Sequence, residues 1–230
     1  AIVCLVICLL QRLAGGEWTY LTSFIAEEAD RGLQVEAVLA TPVVLGHLLK
    51  KEVLWQYNWD LATVETWGPG ADAAMVVSNI TMPIMVVGVS VLIWLARRYR
   101  TDAMLLGTLT LLTGLICTHK VGSPQFVAWT APAVVVALAL RRRLKFWIPI
   151  GAILLVTAGL TGLIFPWGYV RMLGGSYPWL AAWVVRNGLL VAVMVCGIVQ
   201  LVRLARQSLI DRWAGADPLA VAGPPGSTAG

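Results

Sequence analysis

The stretch that decides the fold runs from residue 75 to residue 98 and reads MVVSNITMPIMVVGVSVLIWLARR. It has no ionisable side chain through Ala96, and two arginines follow at once. A helix needs about 20 apolar residues to cross a bilayer, so this length and composition predict a transmembrane span. Basic residues directly after a span are typical of the end that faces the cytoplasm.

The composition of the whole chain supports this interpretation. Hydrophobic residues make up 59% and charged residues only 13%, whereas soluble domains have about 25% charged residues. The net charge of +5 could indicate a nucleic-acid partner. The basic residues lie in short clusters between apolar runs, which is the pattern of a membrane protein, so we predict no nucleic-acid partner.

The apolar runs predict an all-α, polytopic transmembrane helix bundle of about six spans. The full-length candidates are Met75–Ala96, Val121–Leu140, Phe146–Pro166 and Trp179–Val202. Ala103–Thr118 is shorter, and residues 1–13 resemble the end of a truncated span rather than a signal peptide. The predicted organisation is therefore a span end (1–13), an extracytoplasmic loop (14–74), a five-span bundle (75–202) and a basic, disordered cytoplasmic tail (203–230).

The basic clusters predict the orientation. Arginines and lysines follow alternate spans, at residues 97–100, 141–145 and 203–212. The positive-inside rule places these three connections in the cytoplasm, and the turn at His119–Lys120 and the loop 167–178 outside. The chain is thus predicted to be a multi-pass protein of the cell membrane with a cytoplasmic C-terminus.

The loop 14–74 differs in composition from the rest of the chain, because it contains nine of the twelve acidic residues and six tryptophan and tyrosine side chains. These are Trp18, Tyr20, Trp55, Tyr57, Trp59 and Trp67. They could form an interfacial aromatic belt or a platform for sugar rings. Within the loop, Val38–Leu49 is too short to span and is interrupted by Pro42, which predicts an interfacial or re-entrant helix.

The four cysteines predict neither a disulfide nor a metal site. Cys4, Cys8, Cys117 and Cys196 lie in or beside apolar runs, with no CxxC or Cys/His spacing. Cysteines in such places act as small hydrophobic residues. No metal and no cofactor is predicted.

Two groups of polar residues near the membrane are candidates for chemistry, because ionisable groups there are costly. The first group lies between the predicted spans 103–118 and 121–140 and contains His119, Lys120, Ser123 and Gln125. The second group lies in the last span and contains Arg186 and Asn187. All lie on the predicted outer side. Cations and hydrogen-bond donors together suit a phosphate, and apolar spans suit a lipid tail. Lys120 could instead be a snorkelling residue, and Arg186 could form a structural ion pair.

A third group is DRGLQVE at residues 30–36. Arg31 could clamp a phosphate or pair with a neighbouring carboxylate. Glu36 could act as a base, or the whole group could be the charged face of a solvated helix.

The sequence HKVGSPQFVAWTAP at residues 119–132 resembles a K-x-x-SPQ-aromatic-x-x-W-x-x-P signature. That signature belongs to the actinobacterial polyprenol-phosphate-mannose-dependent α-mannosyltransferases, of the glycosyltransferase C superfamily. Residues 30–36 are similar to the family's RGLQ-x-E segment, and Arg186–Asn187 to its RN pair. Ala37 departs from the pattern, where a small hydroxyl residue is expected.

The resemblance implies sugar transfer, most simply of mannose, from a polyprenyl-phosphate donor to a lipid or glycan acceptor outside the cytoplasm. It implies that the transfer inverts the configuration at the anomeric carbon and needs no metal. It also implies a catalytic aspartate in a first extracytoplasmic loop, which would precede Ala1. On this interpretation, the donor phosphate is expected to be bound by Arg31, His119, Lys120, Ser123, Gln125 and Arg186. The alternatives are a transporter or flippase of a lipid-linked substrate, which usually shows internal repeats that are not found here, and a non-catalytic membrane scaffold.

Overall fold

The computed structural model describes residue 10 and residues 12–15, 31–49 and 55–214. The structure is mostly helical, at 79%, which confirms the predicted class. The helices are α1 Thr41–Leu49, α2 Pro69–Leu95, α3 Arg100–Thr118, α4 Ala131–Ala139, α5 Leu144–Leu163, α6 Tyr169–Leu173 and α7 Tyr177–Trp213. The strands are β1 Leu33–Gln34, β2 Trp55–Asn58 and β3 Thr63–Thr66. Most of the predicted first span end and the predicted disordered tail lie outside the described residues.

Four helical stretches are long and apolar enough to cross a membrane: Gly70–Leu95, Arg97–Thr118, Leu144–Leu173 and Tyr177–Trp213. Three of them contain a predicted run, and Gly70–Leu95 ends one residue before the predicted run Met75–Ala96 does. The stretch Arg97–Thr118 begins earlier than predicted, and its helix α3 has 19 residues, a length of about 28 Å. It packs between α2, α4 and α7, so a bilayer-length helix forms the centre of the bundle.

The predicted span Val121–Leu140 has a different form. Residues 119–123 are extended, Pro124–Thr130 is a 3-10 helix, and only Ala131–Ala139 is α-helical. Pro124 and Pro132 each stand at the start of one of these pieces. Ser123 before Pro124 is extended, because proline disfavours the α conformation in the residue before it. Pro132 lies in the first turn of the α-helical piece, where its missing N–H group costs no helical hydrogen bond. The count of six spans stays a prediction.

The outer surface of the bundle is apolar. Along α2, one side chain per turn from residue 76 to residue 94 is about half exposed or more: Val76, Ile80, Ile84, Val87, Val91 and Trp94. Continuous apolar surface of this length is unfavourable in water and favourable against lipid. Inside the bundle, threonine hydroxyls donate to carbonyl oxygens one turn earlier, as Thr110 does to Leu106 (2.6 Å) and Thr161 to Thr157 (2.8 Å). Such bonds satisfy polar groups without water.

The three basic clusters lie at one end of the bundle, here called the basic end. Asp102 accepts two hydrogen bonds from Arg142, both of 2.8 Å. The hydroxyl of Tyr99 donates to Asp211, and Arg212 donates to the carbonyl oxygen of Leu95 (2.7 Å). These contacts join the ends of α2, α4 and α7 to the start of α3. The direction in which this end faces stays a prediction.

A three-stranded antiparallel sheet lies at the opposite end, in the order β1-β3-β2. Leu33 pairs with Thr66, and Trp55 pairs with the same threonine from the other side. Interfacial helices were predicted in this region, and the described part of the loop contains the short α1 and this sheet. The sheet forms because Leu33 and Val64 share a core cluster with the bundle residue Trp183, a contact that local sequence does not reveal.

Candidate functional site

Gln34 joins two sequence segments that are far apart in the chain. Its backbone N–H donates to the carbonyl oxygen of Lys120 (3.0 Å), and its side-chain Oε1 accepts the backbone N–H of Gly122 (3.0 Å). The side chain of Gln34 is buried, at 4% exposure. The extended residues 119–123 therefore lie directly beside β1, and residues 31–36 of the first motif contact the second motif at residues 119–132.

Gly122 is required at this junction because the two backbones approach closely. A β-carbon at residue 122 would lie 2.2 Å from the backbone nitrogen of Ala37 and 2.2 Å from the carbonyl carbon of Glu36. Real β-carbons do not come so near to backbone atoms. The glycine of the GSPQ sequence thus brings residues 122–125 against the turn that contains Glu36.

A cavity of about 380 Å³ opens between these segments. Its polar lining comes from β1 and the residues on either side of it, the β2–β3 hairpin, the GSPQ sequence and α6. The polar residues are Arg31, Gln34, Glu36, Tyr57, Thr63, Ser123, Gln125 and Tyr169. The volume is near the lower end of the usual range for ligand sites, about 300–1,000 Å³.

Glu36 is the acidic group of this cavity. The Tyr169 hydroxyl donates a hydrogen bond to Oε1, while Oε2 is buried and has no hydrogen-bond partner among the described residues. Burial raises the pKa of the Glu36 carboxyl above its ordinary value of 4.5, and this outweighs the opposing effects of Tyr169 and the Arg186 charge. A raised pKa brings the carboxyl closer to the range in which it can exchange a proton near neutral pH.

Arg186 lies behind Glu36 and is not part of the cavity wall. It is 1% exposed, and it donates to Thr161 Oγ1 (3.2 Å), to Asn187 Oδ1 (2.7 Å) and, at 3.4 Å, to the carbonyl oxygen of Glu36. Asn187 in turn donates to Thr41 Oγ1 (2.8 Å). The RN pair of α7 therefore connects α5, α1 and the Glu36 turn.

The residues predicted for a donor phosphate fall into two sets. Arg31, Ser123 and Gln125 line the cavity together with Glu36. His119, Lys120 and Arg186 are outside its lining. Lys120 is 4% exposed, and His119 Nδ1 accepts the N–H of Val121 (2.9 Å). A phosphate contact from these three residues stays a prediction.

Tyr169 and Thr63 line the cavity although neither was predicted as a site residue. Tyr169 follows an apolar run in a segment predicted to be a simple loop, and only the fold brings it to Glu36, 133 residues away. Thr63 belongs to a hairpin that was not predicted. Among the described tryptophan and tyrosine residues of the loop, Tyr57 lines the cavity, Trp55 packs against a core cluster, and Trp59 is 85% exposed.

The fold and site define a mostly helical bundle with four helices that could cross a membrane and a polar cavity at the end opposite the basic clusters. No protein family, no curated protein and no solved structure matches this chain. In the part of the chain that the structure describes, no three His, Cys, Asp or Glu side chains are grouped as metal ligands would be.

Proposed function

We propose that this chain belongs to a membrane glycosyltransferase that moves a sugar from a polyprenyl-phosphate donor to a lipid or glycan acceptor on the outer side of the membrane. The observation behind the proposal is the double hydrogen bond of Gln34 to Lys120 and Gly122. It joins the two motifs on which the resemblance to mannosyltransferases rests, and residues from both motifs line one cavity.

The chemistry of the cavity suits a sugar phosphate. The guanidinium group of Arg31, the hydroxyl of Ser123 and the amide of Gln125 can donate hydrogen bonds to phosphate oxygens. The volume of about 380 Å³ fits one sugar with its phosphate better than an oligosaccharide. The polyprenyl tail would lie along the apolar outer surface of the helices.

In the proposed reaction, an acceptor hydroxyl attacks the anomeric carbon of the donor and loses its proton to a carboxylate. The bond between that carbon and the phosphate oxygen breaks, and polyprenyl phosphate leaves with the bonding electrons. Arg31 stabilises the negative charge that develops on the phosphate. The resemblance implies an aspartate as this base, and Glu36 is a second carboxylate that can bind a sugar hydroxyl.

The test is transfer from a polyprenyl-phosphate sugar by the full-length protein carrying Arg31→Gln or Gln125→Ala. A charge-assisted hydrogen bond is worth about 1.5–3 kcal/mol, so the loss of one made in the transition state slows transfer about ten-fold to a hundred-fold. Arg171→Gln is the matched control, because Arg171 is an exposed cation of α6 outside the cavity lining. Normal transfer in both cavity variants would show the proposal to be wrong.

The alternative functions predict other results in the same reconstituted system. A transporter or flippase moves the lipid-linked sugar across the bilayer without covalent change, and a scaffold does neither. Transfer by the wild type that is lost in the cavity variants separates the glycosyltransferase from both.

Lys120 needs a more careful experiment than Gln125. Lys120→Ala is still predicted to lower transfer, but Lys120 is 4% exposed, so the truncation also leaves a void. Lys120→Met keeps most of the volume and removes the charge. If Lys120→Met is fully active and melts at the wild-type temperature, the lysine does not bind the donor phosphate.

A further inference from the structure

A second cavity lies at the basic end, far from the candidate site. It has a volume of about 370 Å³ and is lined by Arg141, Arg143, Leu144, Lys145, Phe146 and Gln200. Three of its six lining residues are cations. The turn between α4 and α5 forms one side, and α7 contributes Gln200 on the other.

The backbone of this turn is unusual. The N–H of Arg142 donates to the carbonyl oxygen of Ala137 (2.9 Å), and that of Arg141 to Leu138 (3.0 Å). This is the pattern of a Schellman motif, in which the residue at the position of Arg141 is usually glycine. Arg141 has φ +50°, and Arg143 has φ +38°. Non-glycine residues are disfavoured in this left-handed region, so the chain has large cationic side chains where the fold favours a glycine.

The three successive arginines have different surroundings. Arg142 donates two hydrogen bonds of 2.8 Å to Asp102, which holds the turn against the start of α3. Arg141 and Arg143 line the cavity, and the Nε of Arg143 is 3.8 Å from the same Asp102 carboxylate. Asp102 thus contacts Arg142 and Arg143, and the lining of the cavity has three cations and no acidic residue.

Other features of the cavity also suit an anion at a membrane boundary. Leu144, Lys145 and Phe146 form the first turn of α5, and the positive end of a helix dipole favours a negative charge there. The helical stretch that could span the membrane begins at Leu144. Leu144 and Phe146 give the cavity an apolar wall beside its cations.

From these features we propose that this cavity binds the phosphate of an acidic phospholipid headgroup, with Arg141, Arg143 and Lys145 around the phosphate and Leu144 and Phe146 against the acyl chains. Basic pockets between helices at the cytoplasmic side are typical places for such lipids. Inorganic phosphate has the same anionic group but no acyl chain, so the apolar wall favours the lipid.

The experiment compares variants of the full chain by native mass spectrometry after purification with phosphatidylglycerol or with phosphatidylcholine. We expect the wild type to retain phosphatidylglycerol selectively, and Arg141→Gly to bind it at least about ten-fold more weakly. Because glycine accepts the positive φ of residue 141, Arg141→Gly should melt at or above the wild-type temperature. Arg100→Gln is the control, since it removes one charge from the same end outside the cavity lining.

Each outcome decides the proposal. Selective loss of the lipid in Arg141→Gly, with Arg100→Gln unchanged, supports it. Equal loss in both variants would indicate a diffuse basic surface, and no loss in Arg141→Gly would remove the site; either result overturns the proposal. Competition by inorganic phosphate at the concentration at which the lipid binds would assign the site to a soluble anion and also overturn it.

Discussion

At the scale of single residues, Gly122 is a position of the candidate site that has no room for a side chain. Its missing side chain lets the GSPQ sequence contact the backbone of Glu36 and Ala37. The atoms that a β-carbon would meet are the backbone nitrogen of Ala37 and the carbonyl carbon of Glu36. Backbone atoms cannot move aside as a flexible side chain could.

We therefore predict that Gly122→Ala destabilises the protein by about 1–3 kcal/mol, the usual cost of overpacking. Gly159→Ala is the matched control, because a β-carbon there meets no atom within 4 Å. In the interior of a helix that change should be neutral or slightly stabilising. Melting temperatures in detergent measure both; equal melting of the two variants would contradict the close approach at residue 122.

Glu36 gives a prediction about pH. Its pKa is raised above 4.5 by burial, so the folded protein holds this proton more tightly than the unfolded chain does. The stability that the protonated carboxyl contributes is complete below pH 4.5 and is lost as the pH rises through the raised pKa. Glutamine cannot titrate, so the melting temperature of the wild type minus that of Glu36→Gln should fall as the pH rises above 4.5 and through the raised pKa. A difference that grows with pH would mean that burial does not dominate.

At the scale of elements, the connection between β1 and residues 119–123 depends on the Gln34 side chain. Because its Oε1 is the partner of the buried Gly122 N–H, Gln34→Ala leaves that group without a hydrogen bond. An unsatisfied buried donor costs about 1–3 kcal/mol.

We expect Gln34→Ala to lower the melting temperature clearly, and Gln56→Ala to leave it nearly unchanged. Gln56 has the same side chain in the same sheet but is exposed on β2. If the two variants melt alike, the Gln34 bond does not stabilise the junction of the two motifs.

The elements also show why the run 121–140 was only partly predictable. Its apolar composition indicates a membrane helix, and its middle and end are helical. The first residues are extended because Lys120 and Gly122 bond to Gln34. A hydrogen bond to a residue 88 positions away is outside the reach of hydrophobic periodicity.

At the scale of the whole molecule, the prediction is that the cavity end faces outward and the basic end faces the cytoplasm. Cysteine labelling can test this orientation, and the structure indicates which positions are exposed enough to be labelled. A cysteine at Lys120 would be buried and would react poorly for that reason alone, whereas Trp59 is 85% exposed on the hairpin and Arg100 is exposed at the basic end.

In a cysteine-free background, we expect an impermeant reagent to label Trp59→Cys in intact cells, and Arg100→Cys only after permeabilisation. Both variants should be labelled once the membrane is open, which controls for reactivity. The reverse pattern in intact cells would invert the topology and place the candidate cavity on the cytoplasmic side.

The sequence by itself determined the helical class and the approximate position of the four helices that could span a membrane, because apolar length is a local property. It also predicted that the basic clusters would gather at one end, since they follow alternate helices. Arg31, Glu36, Ser123 and Gln125 could be proposed from the same sequence, and they meet in one cavity.

Only the tertiary structure decided which of the candidate residues reach that cavity. Lys120 and Arg186 are polar residues near the same end of the bundle, yet both are buried outside its lining, and Tyr169 enters it from a segment with no polar motif. The small sheet could not be predicted from the local sequence either. Its strands have only two or four residues, and such short strands are stable only against the core that includes Trp183. The burial of a side chain and its hydrogen-bond partners depend on contacts between segments that are distant in the chain. The local pattern of residues does not reveal those contacts.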